Sequence, residues 1–243
     1  MRIRVLGTGT SQVTENSVST STYLYIAGTH MLLDCGAGTL VRMSQSGISF
    51  ADLDMIFISH FHIDHVAELQ SILWALKYPR LQRTKSLKLL GPPGFIGFYN
   101  TYIKPIVFSK PFDLFDIEVL EIKGRMEFDG FSVETHNTPH TDESISYKFI
   151  GDRTFVHSCD TGYDPALAEF AKGCDVMVLE CSTDDGNPME SHLSPAQCGE
   201  IAKLAKPKRL LLTHLYPRDD ENRLEETRKI FPHTELAHDL MDI

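Results

Sequence analysis

Four side chains of metal-binding type lie within the six-residue stretch HFHIDH at positions 60–65. Imidazole and carboxylate groups are ligands that suit Zn²⁺ or Fe²⁺. His60 and His62 are two positions apart, so in an extended segment both side chains leave on the same side. Asp64 and His65 are adjacent and must diverge. The spacing therefore predicts two metal ions, one bound by His60 and His62 and the other by Asp64 and His65.

The segments on either side of this stretch predict how it is positioned. Residues 54–59 form an apolar run that ends in a small polar residue, which predicts a buried strand. Residues 66–76 carry apolar side chains at helical spacing, which predicts a helix. The four side chains would then lie on a strand-to-helix turn, beyond the carboxyl end of a strand, where α/β folds bind ligands.

Further candidate ligands follow other predicted strands. His140 comes after the strand 131–136, Asp160 after the strand 154–157, and His214 after the strand 209–213. His192 lies just before a predicted helix at 195–205. Singly, each could be a hydrogen-bonded surface residue, but their common position after strands favours one shared site.

The remaining pattern predicts two β-rich halves, each with helices. Residues 115–156 have the alternation and turn signals of an antiparallel section, and strands and helices alternate after it. A helix is predicted at 95–107, ending near Pro105. We therefore expect an α/β fold in which two sheets pack face to face, with helices outside and the candidate ligands at one edge.

Composition narrows the class of protein. The 243 residues contain no linker or repeat, so a single domain spanning 1–243 is expected. No apolar run is long enough to span a bilayer, and the N-terminus reaches glycines too soon for a signal peptide. The five cysteines form no Cys-x-x-Cys pair, which is typical of reduced thiols in a cytoplasmic protein. The net charge of −10 weighs against a general nucleic-acid binder.

Two further features could contact a substrate phosphate. The glycine-rich segment 7–11 could cradle phosphate, although it lacks the Lys-Ser/Thr ending of a P-loop. It could equally be a turn that lets the backbone pass close to a site. Arg218 follows His214 closely in sequence and is a second candidate for phosphate contact.

Eight motifs, taken in order, resemble the metallo-β-lactamase superfamily, and most closely its ribonuclease Z branch. The resemblance covers nearly the whole chain. The matching segments are Leu6-Gly7-Thr8-Gly9-Thr10, residues 32–39 (LLDCGAGT), residues 58–65 (ISHFHIDH), Leu90-Gly91-Pro92-Pro93-Gly94, Pro139-His140, Cys159-Asp160-Thr161, His192-Leu193-Ser194 and Leu212-Thr213-His214.

The resemblance implies a four-layer αββα sandwich of two mixed sheets that holds two zinc ions, with Mn²⁺ or Fe²⁺ as alternatives. Related enzymes are often homodimers, which implies a homodimer here. The implied ligands are His60, His62 and His140 on one ion, Asp64, His65 and His214 on the other, and Asp160 bridging both.

The resemblance also implies a mechanism. A metal-bridging hydroxide would be the nucleophile, because a bound metal lowers the pKa of water from about 16 to about 7. Asp64 would additionally orient the nucleophile. His192 would assist the leaving group as an acid near neutral pH. Glu180, at the end of the strand 176–179, would orient His192.

Two departures from the ribonuclease Z pattern bear on the substrate. Ile63 stands where that branch commonly has glycine. The bacterial enzymes also insert a long tRNA-gripping arm between the third-motif histidine and the bridging aspartate. Here His140 and Asp160 are only 20 positions apart, so there is no room for that arm. The interpretation is a phosphodiesterase acting on a small phosphodiester, such as a cyclic nucleotide or a short oligonucleotide.

Other functions stay open at this point. The same nucleophile would serve a thioesterase or lactonase, and tRNA 3′-end endonuclease activity is a second alternative. Diiron redox members of the superfamily usually replace the second histidine of the turn with an acid, so His62 argues against them. A mononuclear iron enzyme and a metal-stabilised binding module are the remaining alternatives.

Overall fold

The computed structural model describes residues 1–78, 81, 83–108, 114–216 and 220–243. Within these residues two sheets of seven strands each form the centre of the fold. The first sheet consists of β1 (Arg2–Gly7), β2 (Ser21–Ile26), β3 (Thr29–Leu33), β4 (Met55–Phe57), β5 (Leu87–Gly91), β6 (Ile117–Glu121) and β14 (Met241–Asp242). The second consists of β7 (Arg125–Phe128), β8 (Phe131–Asn137), β9 (Ile145–Ile150), β10 (Thr154–His157), β11 (Val176–Glu180), β12 (Arg209–Thr213) and β13 (Thr234–Leu236).

Both sheets are mixed, and their strand orders correspond. The first sheet has the order β14-β1-β2-β3-β4-β5-β6 and the second β13-β12-β11-β10-β9-β8-β7. In the first, β1 to β3 are antiparallel and β3 to β6 are parallel. In the second, β7 to β10 are antiparallel and β10 to β13 are parallel. Each sheet therefore has a parallel half whose carboxyl ends can present side chains at one edge.

Helices cover the outer faces of both sheets. Along the described chain they are α1 (Thr39–Gln45), α2 (Ile63–Val66), α3 (Leu69–Leu76), α4 (Phe95–Phe98), α5 (Lys104–Val107), α6 (Pro165–Phe170), α7 (Pro195–Ala205) and α8 (Asp220–Ile230), with a π-helical turn at Tyr99–Ile103. None of the described helices combines the length and the hydrophobicity needed to cross a lipid bilayer.

The period-2 alternation of the strands explains the layers. In β4, Met55 and Phe57 point between the sheets, and Ile56 points outward. Phe57 meets Tyr147 and Phe149 of the second sheet edge-on, with ring centroids 5.6 and 5.2 Å away. Separate apolar clusters lie between each sheet and its helices. The fold is the predicted αββα sandwich.

Three local predictions were wrong. The section 115–156 was predicted to be antiparallel, but β6 pairs parallel with β5 in the first sheet. The helical stretch between β5 and β6 explains this, because parallel neighbours need a crossover connection. The helix predicted at 66–76 is two helices, α2 and α3. Pro105 does not end a helix: it lies in the first turn of α5, where its missing N–H is not required, after the π-helical turn.

Candidate metal centre

The stretch 60–65 comprises the end of the turn after β4 and the first three residues of α2. Ser59, His60 and His65 are buried, whereas His62 is exposed. The turn packs against Gly36 in the loop after β3. A Cβ atom on Gly36 would lie 2.0 Å from the backbone oxygen of Asp64, so a larger residue there would displace the turn. This glycine fixes how closely the turn approaches the first sheet.

The other candidate side chains lie at the same edge of the sandwich. His140 follows β8, Asp160 lies three residues after β10, and His214 directly follows β12. His214 has a backbone φ of 56°, and Cys159, next to Asp160, has a φ of 51°. Left-handed conformations of residues other than glycine are strained and cluster at functional sites. The chain thus turns sharply at two of the three strand ends.

All seven predicted metal ligands converge. We name two groups: cluster A is His60, His62 and His140, and cluster B is Asp64, His65 and His214. The ligand atoms of cluster A and Asp160 lie within 4.8 Å of one another, as do those of cluster B. The Asp160 carboxylate lies between the clusters, 3.3 Å from His65 Nε2, 3.5 Å from His214 Nε2, 3.6 Å from His140 Nε2 and 3.9 Å from His60 Nε2.

Two of the imidazoles are anchored by one buried carboxylate. His65 Nδ1 lies 2.7 Å from Asp34, and His60 Nδ1 lies 3.0 Å from the Ser59 hydroxyl. Ser59 in turn donates to Asp34 through its backbone N–H and its hydroxyl, both at 2.8 Å. Because this hydroxyl proton is used on Asp34, the Ser59 oxygen accepts the Nδ1 proton of His60. Both rings therefore turn Nε2 toward the centre of the site.

Two further imidazoles are also anchored through Nδ1. His140 Nδ1 donates to the Ser191 carbonyl at 2.9 Å. His214 Nδ1 lies 2.8 Å from the Ser182 hydroxyl, which donates to the His214 carbonyl at 2.9 Å. Four rings in all thus point Nε2 inward and Nδ1–H outward. This is the tautomer that a metal-binding histidine needs, since the outer hydrogen bond fixes the ring and raises its basicity.

Three of the inner atoms lack hydrogen-bond partners, which is the observation that fits a metal. Among the described residues, His60 Nε2, His65 Nε2 and Asp160 Oδ1 are buried without a hydrogen bond. His62 Nδ1 and His140 Nε2 lie 3.0 Å apart. Two nitrogens bound to one tetrahedral zinc at about 2.0–2.1 Å would be about 3.3 Å apart. Buried polar atoms without partners are costly, and a pair of cations would satisfy them.

The protonation states of His60 and Asp160 also suit cations. By contrast, burial lowers the pKa of His65, but Asp160 and Asp34 outweigh burial and raise that pKa well above its ordinary value, so that ring must release a proton when it binds a metal ion. Burial lowers the pKa of His60 well below its ordinary value, and His65 beside it acts in the same direction. Burial raises the pKa of Asp160, but His214 and His65 outweigh it and hold that pKa well below the usual range. Asp160 is therefore ionised at neutral pH and His60 is neutral, which are the forms that bind metal ions.

His192 and Glu180 form a hydrogen-bonded pair at the edge of the clusters, where the ligand atoms of His192, Asp160 and His214 lie within 4.8 Å of one another. The two residues lie 2.7 Å apart, His192 Nδ1 to Glu180 Oε1, and the His192 ring is 4.8 Å from that of His140. Glu180 is fully buried and also accepts the backbone N–H groups of Thr161 and Ser182. Burial lowers the pKa of His192, but the hydrogen bond and charge of Glu180 outweigh it, so that pKa is raised.

Sequence reasoning missed the residues that anchor the rings: Asp34, Ser59, Ser182 and Ser191. Asp34 had a usable signal, because it directly follows β3 and precedes the glycines at positions 36 and 38. The three serines carried no such signal.

The segment 7–11 was predicted to be either a phosphate cradle or a turn. The N–H groups of Thr8 and Gly9 already donate to other parts of the protein, which favours the turn. Arg218 lies outside the described residues.

Comparison with solved structures identifies the fold. The metallo-β-lactamase fold protein YhfI from Bacillus subtilis superimposes with a TM-score of 0.87 at 20% identity, over 100% of this chain and 98% of the other. The short form of human tRNase Z gives a TM-score of 0.80 at 20% identity, over 100% and 98%. The two superpositions show that the chain has the metallo-β-lactamase fold.

Sequence comparison places the chain more narrowly. Ribonuclease Z of Methanothermobacter thermautotrophicus is 27% identical over 300 aligned positions, covering 100% of this chain and 96% of that protein. This confirms the predicted resemblance to the ribonuclease Z branch. A sequence profile of the family described as Anti-Pycsar protein Apyc1 matches residues 1–232. The chain belongs to that family.

Proposed function

We propose that the chain is a phosphodiesterase with two metal ions, zinc in the first instance, that acts on a cyclic nucleotide or a short oligonucleotide. The observation that carries the proposal is the inward set of Nε2 atoms around Asp160, of which those of His60 and His65 are buried without hydrogen bonds. Zinc suits imidazole and carboxylate donors in tetrahedral geometry.

In this proposal cluster A would hold one ion and cluster B the other, with the Asp160 carboxylate available to both. When bound, the two ions would supply a water of lowered pKa and would neutralise charge on the phosphoryl oxygens. The proton transfers are assigned to side chains of the protein. The Asp64 carboxylate can accept a proton from the attacking water. Burial raises its pKa, but His214 and His65 together outweigh burial and lower that pKa, so the carboxylate is ionised.

His192 is the proposed acid for the leaving group. Its Nδ1–H is committed to Glu180, so Nε2 is the atom that can carry a proton to the leaving oxygen. Glu180 is a positioning residue in this scheme: it fixes the ring and stabilises the protonated imidazole. Both roles are those predicted from the sequence.

Three observations support a small substrate. The net charge of −10 disfavours binding along a polynucleotide. The chain between His140 and Asp160 is filled by β9 and β10, which leaves no residues for an arm there. The 300 aligned positions also exceed the 243 residues of this chain, so the archaeal ribonuclease Z carries segments that this chain lacks.

The test compares substrate classes with one zinc-loaded preparation. We expect turnover of bis(p-nitrophenyl) phosphate and of 3′,5′-cyclic nucleotides, and none of a precursor tRNA. His62→Ala in the same assays attributes any activity to the site. Turnover of thioesters or lactones without phosphodiester turnover would replace this function by the acyl-hydrolase alternative. Cleavage of precursor tRNA at its 3′ end would instead favour the ribonuclease Z alternative.

A homodimer is a further part of the proposal. The outer face of α3 and the helical turns that follow β5 expose Trp74, Tyr102 and Ile106, each by more than half. Gln70 of α3 donates to the Tyr102 carbonyl, so these side chains belong to one continuous surface. Such a patch is typical of an association site. Light scattering should show two chains, and Trp74→Glu with Ile106→Glu should give one.

We also propose a single domain and a cytoplasmic location. One apolar cluster joins inner residues of both sheets, which favours a single folding unit. All five cysteines are free and buried, as expected for a protein from a reducing compartment.

A further inference from the structure

One carboxylate near the C-terminus gathers several distant parts of the chain. Asp239 lies between β13 and β14, and its side chain is only 5% exposed. It accepts the Thr8 N–H at 2.9 Å, the Thr8 hydroxyl at 2.8 Å and the Val18 N–H at 2.9 Å. It also accepts Nε of Arg42, from α1, at 2.9 Å. Four donors from three residues thus converge on one buried side chain.

These contacts close the segment 8–18, which we call the strap, at both ends. Thr8 begins the strap and Val18 ends it, and the carbonyl of Val18 also accepts the Gly9 N–H at 2.8 Å. Arg42 holds the far part of the strap as well, because its Nη2 donates to the Glu15 carbonyl at 3.0 Å. The strap is therefore held at its two ends by Asp239 and at Glu15 by Arg42.

The strap in turn touches the candidate metal centre. The Thr8 carbonyl accepts the N–H of His214 at 2.8 Å and the N–H of Leu215 at 3.4 Å. His214 is the cluster B residue whose backbone is in the left-handed region. A backbone held in that region persists only when its surroundings impose it, and the Thr8 carbonyl is one of the contacts that impose it.

We propose that Asp239 is a positioning residue for the metal centre: it fixes Thr8, whose carbonyl sets the backbone and hence the ring of His214. Asp239 is far from the metal turn in sequence, but it acts on cluster B through two hydrogen-bonded steps. The inference rests on the proposed metal centre, because the consequence of a displaced His214 is weaker binding of the cluster B ion. Loss of an outer partner of a ligand typically weakens metal affinity by about 10–100-fold.

The test uses Asp239→Asn, which keeps the shape of the side chain and removes its charge and part of its acceptor capacity. The matched control is Asp242→Asn, three positions along the same tail. Asp242 pairs with Arg4 at the surface, is 69% exposed and has no contact with the strap. Both variants are compared with the wild type as zinc-loaded proteins. Arg42→Gln cuts one of the four contacts of Asp239 and is the variant to use if Asp239→Asn does not fold.

Two readouts are measured, and neither uses turnover. The first is hydrogen exchange in a peptide covering 209–216, which reports the N–H groups that bond to Thr8. The second is the rate at which a chelator removes each zinc ion. For Asp239→Asn we expect faster exchange at His214 and Leu215 and removal of one of the two ions about tenfold faster or more. For Asp242→Asn we expect both readouts to match the wild type.

The proposal is overturned if Asp239→Asn loosens only the strap, with exchange at 209–216 and the loss of both ions unchanged. Asp239 would then be a local anchor of the loop. It is equally overturned if Asp242→Asn gives the same changes as Asp239→Asn, since the effect would then be a general one of the C-terminal tail. Because neither readout depends on a substrate, a wrong choice of substrate class leaves this test intact.

Discussion

Clusters A and B lie on either side of Asp160, but they are built differently. Cluster A consists of three imidazoles, and one of them, His62, is exposed. Cluster B contains the carboxylate of Asp64 and two buried imidazoles, one anchored by Asp34 and the other by Ser182. Ligand charge and rigidity set how tightly a site binds a cation. We therefore expect cluster B to bind its ion tightly and cluster A to exchange its ion more readily.

Removing the Asp160 carboxylate, which both clusters share, should have the largest effect on metal binding and should abolish the difference in affinity between the clusters. Asp160→Ala takes the common ligand from both clusters, so we expect loss of both ions and of turnover, by more than the 10–100-fold typical of an outer partner. Elemental analysis after gel filtration measures the metal content. Retention of two zinc ions per chain would contradict the assignment of Asp160 as the shared ligand.

His62→Ala sharpens the comparison by removing the exposed ligand of cluster A alone. We expect zinc content to fall from two ions to one per chain and turnover to be lost with it, because the remaining ion is held by cluster B. Asp64→Ala is the matched change in the other cluster. If His62→Ala releases both ions, the clusters are not independent and the contrast between them is wrong.

His192→Ala tests whether a residue outside both clusters acts without holding metal. Loss of a proton donor typically slows the chemical step by about 10²–10⁴-fold, so we expect a loss of about 10² or more with two ions retained. Metal content and turnover are measured on the same sample. A variant that loses zinc would move His192 from the proposed acid to the ligand set.

Asp34→Asn should reduce the difference in metal affinity between clusters A and B. Asparagine tolerates the left-handed backbone found at residue 34, so the fold should be retained. The weaker acceptor holds His65 less firmly and, through Ser59, also His60. Because the bond to His65 is direct, we expect the larger loss of affinity, about 10-fold or more, for the cluster B ion. Competition with a chelator measures it. Unchanged release of both ions would show that this anchor has no part in metal binding.

The smallest expected effect is a shift in pH dependence. Glu180 raises the pKa of His192, which keeps the ring protonated to higher pH. Glu180→Gln removes that charge, so the alkaline limit of the rate, where His192 loses its proton, should move to lower pH. The pH profile of kcat measures this. An alkaline limb at the wild-type position would remove Glu180 from the mechanism.

The sequence was sufficient for the fold class and for the convergence of the seven ligand candidates, because the HFHIDH turn and the strand-end residues carry strong local signals. It was insufficient for β6, whose parallel partner is set by a crossover rather than by its own residues. It also could not reveal the anchors Ser59, Ser182 and Ser191, since a serine that receives a ring N–H looks like any other serine. Asp239 was missed for a different reason: its partners lie more than 190 positions away in the chain.

The most direct test of the account is anomalous diffraction at the zinc edge from crystals grown with zinc. We expect two peaks about 3.5–4 Å apart, the spacing typical of two-metal sites. One should be bounded by His60, His62 and His140 and the other by Asp64, His65 and His214, with Asp160 between them. A single peak, or peaks elsewhere on the protein, would contradict the proposed dinuclear centre.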